Sequence, residues 1–254
     1  MNFNEVLIPF ALTFLAGLST VLGSLIFISN TFIKKKYFGF FLGLSAGVML
    51  YLSFVELLSY SIKGIGFLYS NVFFFAGIIF MAVVDLLIPH QYLEERTLKK
   101  NKVFDRKLLS TGFVITIGLI IHNFPEGMAV FLSSFSDIRL GVLMAVAIAI
   151  HNIPEGIAVA APIYHATLNK GKAIKYAFIS GMAEPLGAII SYILLRPYLN
   201  RNILSYVFAV VAGIMVYISL DELLPACFKE DQGHRAIIGI VIGMMTAFCS
   251  MLFL

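Results

Sequence analysis

Residues 140–162 read LGVLMAVAIAIHNIPEGIAVAAP. The stretch is long enough, and apolar enough over most of its length, to cross the hydrocarbon core of a bilayer as one helix, which takes about 20 residues. Its centre is its least apolar part. His151-Asn152-Ile153-Pro154-Glu155-Gly156 puts an imidazole, a carboxamide and a carboxylate at the depth where such groups are most costly and mark function by default. This run therefore reads as a membrane span with chemistry at its middle.

The same length signal recurs along the chain. Eight apolar runs are expected to span: 6–29, 37–59, 67–88, 108–134, 140–162, 173–195, 203–224 and 236–254. The composition agrees. Of 254 residues, 60% are hydrophobic and 13% charged, and mean hydropathy is +0.94, against roughly 45–50% apolar and about 25% charged in a soluble domain. This balance argues against a soluble enzyme, a disordered chain and a disulfide-rich secreted domain. With only Cys227 and Cys249, neither a cysteine metal site nor a disulfide framework is available. The alternating ten-residue segments of a membrane β-barrel do not occur. The first run is too long, and Met1–Glu5 too poor in positive charge, for a cleaved signal peptide. The expectation is an all-α membrane protein, one transmembrane domain over 1–254, whose longest connector, 89–107, is a short charged cytoplasmic loop.

The net charge of +4 does not point to nucleic acid, because the basic residues sit in the connectors rather than in a stripe. Fourteen Lys and Arg fall after spans 1, 3, 5 and 7, among them Lys34, Lys35, Lys36, Arg96, Lys99, Lys100 and Lys170. The other side holds four, Lys63, Arg139, Arg196 and Arg201. The positive-inside rule then puts the odd connectors in the cytoplasm and both termini outside the cell (inner) membrane.

Two internal repeats organise the chain. Gly47-Val-Met-Leu-Tyr-Leu-Ser-Phe-Val-Glu-Leu-Leu58 matches Gly213-Ile-Met-Val-Tyr-Ile-Ser-Leu-Asp-Glu-Leu-Leu224, at an offset of 166. More weakly, Ala16–Ser24 matches Ser180–Ala188 at 164. Spans 1–2 thus correspond to spans 6–7, and by the charge count they cross in opposite directions. That is an inverted-topology repeat, frequent in secondary transporters, and it predicts a 3+2+3 arrangement in which spans 3 and 8 also pair despite poor sequence agreement.

The second repeat is His122-Asn123-Phe124-Pro125-Glu126-Gly127 in span 4 and its counterpart at 151–156 in span 5. The two spans are antiparallel, so the hexapeptides should face each other at the midplane. His at i and Glu at i+4 share one helix face, with Asn turned about 100° around the helix. Each proline removes a backbone donor and frees the carbonyl four residues earlier, Ile121 or Ile150. Span 6 adds Glu184-Pro185 at its centre. His122, Asn123, Glu126, His151, Asn152, Glu155 and Glu184 make a mixed nitrogen and oxygen set, which zinc and iron(II) accept, whereas calcium and magnesium prefer oxygen cages and copper(I) prefers sulfur.

These residues resemble the ZIP family of zinc/iron permeases, and within it the bacterial zinc-transporter branch. The likeness runs through both hexapeptides, Ala183-Glu184-Pro185-Leu186-Gly187 in span 6 and Ser219-Leu220-Asp221-Glu222-Leu223-Leu224-Pro225 in span 7. It implies eight spans, termini outside and a cytoplasmic loop after span 3. It also implies two adjacent metal sites that share glutamates. The first takes His122, Glu126, His151 and Glu155; the second takes Asn123, Glu126, Asn152, Glu155 and Glu184. Met49 falls near a position that supplies a ligand in some members. One departure is the loop after span 3, which is His-rich in many members and holds only His90 here.

The function expected is uptake of divalent transition-metal cations into the cytoplasm: zinc, with iron, manganese, cobalt and cadmium as further candidates. The metal is cargo, not a catalytic cofactor, and the other partner is the lipid bilayer; a homodimer stays open. Two other readings compete. A gated metal channel would share the ligands. A membrane di-metal enzyme would need Glu-x-x-His pairs on regular helices, but here the order is reversed and proline interrupts each motif, so no enzyme is expected. Glu56 and Glu222 occupy equivalent repeat positions and read as interfacial anchors or gates. Asp85 reads as interfacial. Met81, Met144, Met244 and Met245 read as packing residues.

Overall fold

The computed structural model describes residues 3–29, 38–87, 106–195, 201–230 and 234–252. Among the described residues there is no strand, and almost every one is helical. Helix α1 covers Phe3–Ser29. Helix α2, Phe38–Tyr51, passes through a π-helical stretch, Leu52–Leu57, into α3, Leu58–Ile65. Helix α4 is Phe67–Leu87, α5 Arg106–Ser136 and α6 Ile138–Thr167. Helix α7, Lys170–Gly181, is followed by α8, Ala183–Leu195. Helix α9, Arg201–Ile218, runs through a second π-helical stretch, Ser219–Leu223, into α10, Leu224–Glu230. Helix α11 is His234–Leu252. The loop expected at 89–107 lies outside the described residues apart from its last two, which open α5.

Local chemistry sets the boundaries. Gly66, at φ 82°, ends α3 and lets α4 begin at once; the Ser61 hydroxyl then donates to Ser70 Oγ across the hairpin, 2.8 Å away. Asp137 caps α6 by accepting from the Arg139 N–H, and Asn169 caps α7 by accepting from Lys172. The prolines act unequally. Helices α5 and α6 run on through Pro125 and Pro154, whereas the chain breaks at Met182, just before Glu184-Pro185.

Among the described residues, seven helical segments are long and apolar enough to cross a membrane: Val6–Ser29, Gly39–Ile65, Phe67–Leu87, Ile138–Thr167, Lys170–Leu194, Asn202–Lys229 and His234–Leu252. Helix α5, with 31 residues, carries His122, Asn123, Pro125 and Glu126 in its second half. Helix α6 carries the matching hexapeptide, at 151–156, after the apolar run 141–150.

Helix α6 is also the centre of the bundle. Of its apolar window 72% is buried, against 22% for α4 and for α11. The peripheral helices turn Phe67, Leu68, Phe75, Phe80 and Leu86 of α4, and Ile237, Val241 and Met245 of α11, outward. Such apolar outer faces suit a hydrocarbon solvent and would be costly in water. Around α6 the main partnerships are α1 on α6, α5 on α6, α5 on α8, α2 on α11 and α4 on α9.

Candidate metal centre

Helices α5 and α6 form a hairpin through Asp137. His122 lies 14 residues before the end of α5 and His151 lies 13 after the start of α6. At the same rise per residue the two hexapeptides therefore reach the same depth. Gly127 and Gly156 let other helices close on them: a Cβ on Gly127 would collide with the Glu184 carbonyl of α8, and one on Gly156 with the Thr20 carbonyl of α1. Glycine thus permits backbone approach that brings Glu184 to the hexapeptides.

All seven ligand candidates from the sequence are buried, none more than 1% exposed. His122 Nε2 lies 3.1 Å from Glu155 Oε1 and 3.2 Å from Glu126 Oε1. His151 Nε2 lies 2.9 Å from Glu126 Oε1. His122, Glu126 and His151 each offer a ligand atom, and the three atoms lie within 4.8 Å of one another. Asn152 donates through Nδ2 to the Ala16 carbonyl, 3.0 Å away, and to Glu184 Oε1. Asn123 donates through Nδ2 to the Ser180 carbonyl, at 3.2 Å, and to Ser180 Oγ. Each asparagine amide is thereby oriented by its nitrogen, which leaves its oxygen pointing elsewhere.

The remaining valences are informative. Asn123 Oδ1, Asn152 Oδ1, Glu126 Oε2, Glu155 Oε2 and Glu184 Oε2 are buried without a hydrogen-bond partner. A buried polar atom left unpaired is costly. Five such oxygens beside two imidazoles form the donor set that a divalent cation satisfies, and the cation's charge would offset three buried carboxylates. The first oxygens of these carboxylates meet histidine rings, the Asn152 amide and the Ser45 hydroxyl, which donates to Glu155 Oε1 at 3.0 Å.

Other residues fall differently. Met49 is buried, and its sulfur accepts from the Ser219 hydroxyl at 3.8 Å. Met81 and Met144 are buried in the core, while Met245 is turned outward. Asp85, expected at an interface, is only 8% exposed and accepts from the Tyr217 hydroxyl at 3.2 Å. Glu222 lies against α5, where a Cβ on Gly118 would come 3.3 Å from its Oε2. His165 packs edge-on against Phe27. Ser45, Ser180 and the Ala16 carbonyl were not legible as part of the centre. Serine is ordinary in membrane helices, and a backbone carbonyl has no sequence signature.

The arrangement defines a class: a polytopic helical protein whose buried centre of histidine, glutamate and asparagine is suited to a divalent transition metal. Residues 87–254 match the family model described as ZIP Zinc transporter. The chain is 44% identical to the zinc transporter ZupT of Oceanobacillus iheyensis over 99% of both chains, and 45% identical to that of Streptococcus mutans over 96% of both. It is 42% identical to that of Clostridium perfringens, over 99% of this chain and 97% of the other. The chain belongs to the ZIP zinc transporter family. It is therefore a multi-pass membrane protein, and the relatives named here are called transporters rather than enzymes.

Proposed function

We propose that this chain is a carrier that takes zinc across the cell (inner) membrane into the cytoplasm through two adjacent metal sites at the bilayer midplane. The first site is built from His122, Glu126, His151 and Glu155. The second is built from Asn123, Glu126, Asn152, Glu155 and Glu184. The observation that carries this reading is the set of five unpartnered, fully buried oxygens beside two imidazoles. The relatives' name adds zinc as the metal. Iron(II), manganese, cobalt and cadmium are further substrates to be tested.

The carrier reading rests on eight spans in a 3+2+3 inverted repeat, with α5 as the fourth span. Paired contacts support it. Gly23 sits against the Ile153 carbonyl and Gly187 against that of Phe124. Gly156 meets Thr20, as Gly127 meets Glu184. Gly47 faces Ile240, as Gly213 faces Phe74. Each pair becomes the other when residues are shifted by 164 or 166 and the hexapeptides are exchanged. The Phe74–Ile240 correspondence extends the pairing to spans 3 and 8, where the sequences alone agree poorly. Both termini lie outside the cell in this reading, from the distribution of Lys and Arg.

The test is purified protein in liposomes, with initial rates of zinc, iron, manganese, cobalt and cadmium entry compared. Uptake that saturates with zinc supports the carrier, and linear single-channel currents would replace it with a channel. A cysteine at the amino terminus should react with an impermeant thiol reagent from outside and one at Asn101 should not; the reverse would invert the topology. Crosslinking in membranes tests for a homodimer.

A further inference from the structure

The carboxylates of the two hexapeptides are not held alike. Glu155 Oε1 receives two donors, His122 Nε2 at 3.1 Å and the Ser45 hydroxyl at 3.0 Å. Its Oε2 receives none. Glu126 Oε1 receives only imidazole contacts, from His151 and His122. Ser45 belongs to α2, which packs chiefly against α11, whereas the hexapeptides and Glu184 lie on α5, α6 and α8. The repeat places Val211 at the position in α9 that corresponds to Ser45 in α2, offset by 166. Val211 is buried, at 2% exposure, and has no hydroxyl to give Glu126.

We propose that Ser45 is a positioning residue of the metal centre, fixing the Glu155 carboxylate through Oε1 so that Oε2 is the oxygen presented to the metal. The proposal rests on the metal-site reading above. A carboxylate can rotate and can bind through one oxygen or two. A hydroxyl on one oxygen removes that freedom and assigns the other. His122 cannot do this once its Nε2 turns to the metal, because the same nitrogen now contacts Glu155; Ser45 has no competing task. Both groups are fully buried, so no water competes for the bond. The centre thus holds one carboxylate by a hydroxyl from another helix and leaves its twin, Glu126, to the imidazoles alone. Partners that orient a metal ligand typically matter by about 10–100-fold in affinity.

The test is zinc binding to purified full-length protein by calorimetry, paired with zinc uptake in liposomes, for wild type, Ser45→Ala, Ser45→Val, Ser45→Thr and Glu155→Gln. Ser45→Ala should weaken binding by about tenfold and raise half-saturation for uptake with little change in the maximal rate per folded transporter. Ser45→Thr, which keeps the hydroxyl, should restore both. Ser45→Val matches Ser45→Thr in volume and lacks the hydroxyl, so it should behave as Ser45→Ala and covers the case in which the alanine variant does not fold. Wild-type zinc affinity in Ser45→Ala or Ser45→Val, with Glu155→Gln defective, overturns the positioning role and leaves the metal centre standing. Wild-type affinity in Glu155→Gln as well overturns the metal-site reading itself. A drop in metal-free thermal stability without a change in affinity assigns Ser45 to packing and refutes the proposal.

Discussion

The two hexapeptides differ in sequence only at Phe124 against Ile153, yet they sit in different surroundings. His122 stands between both glutamates, whereas His151 is within salt-bridge distance of Glu126. Asn152 bonds a carboxylate, Glu184, whereas Asn123 bonds Ser180. Glu155 has the Ser45 hydroxyl, and the corresponding place beside the other half is Val211. The comparison teaches that duplication supplies the frame, glycines and backbone contacts included, while the elements packed around it make the two halves unequal. Chemistry in this centre is to be sought where the repeat fails.

The largest expected effect tests the frame itself. Glu126→Ala and Glu155→Ala should each abolish zinc uptake, because each carboxylate would serve both proposed metal sites; near-normal uptake by either variant breaks the shared-site reading. The histidines should come next and should be unequal. His122→Ala removes a group facing two carboxylates and should weaken zinc binding on the order of a hundredfold, against about tenfold for His151→Ala, the two ends of the range for groups that orient or bind a metal. Equal losses, measured by calorimetry, would mean that the halves act alike after all. Gly127→Ala and Gly156→Ala should each cost about 1–3 kcal/mol of stability through overpacking, read as thermal unfolding in detergent. A wild-type midpoint for one of them would break the proposed equivalence of the two helix crossings. The smallest effect is expected at the asymmetric pair. Glu184→Gln keeps an acceptor for Asn152 and should retain measurable zinc uptake, whereas Thr20→Glu adds a fourth carboxylate-bearing helix, α1, and should perturb binding more. The reverse order would make Glu184 indispensable.

Much of the fold was legible because bilayer thickness and apolar content are properties a sequence carries openly. The span expected at 6–29 is α1 to within its first turn, and 67–88 is α4 to within one residue. The span expected at 37–59 falls short, because α3 continues to Ile65. Ser61, Lys63 and Gly64 end the apolar run before Gly66 ends the helix, so hydropathy marks the solvent boundary and not the turn. The hexapeptides and Glu184 stand out in the sequence as ionisable groups in the middle of apolar runs, and the structure buries them together. Ser45 does not stand out, since a serine among Leu44, Ala46 and Gly47 resembles any small packing residue. Asp85 reads as interfacial from its place near the end of a span; the structure buries it with the Tyr217 hydroxyl as one partner, 132 residues away in sequence, which no local pattern can announce.

The two π-helical stretches, Leu52–Leu57 and Ser219–Leu223, have no compositional signature, yet they fall at matching points of the 166-residue repeat. In each, the closing bond skips one residue more than an α-helix allows: the Leu58 N–H reaches Ser53 O, and the Leu224 N–H reaches Ser219 O. One surplus residue is a phase shift of about 100° in everything beyond it. The packing partners change across each stretch. Helix α2 lies chiefly on α11, but α3, past the stretch, lies on α9 and α4; helix α9 lies on α4, but α10 lies on α2. Each of these long rods therefore behaves as a crankshaft with two journals set at an angle, able to engage two sets of neighbours along one continuous helix. Shortening either stretch by a single residue would realign the journals and turn half of the rod to the wrong bearing, with every metal-ligand candidate still in the chain.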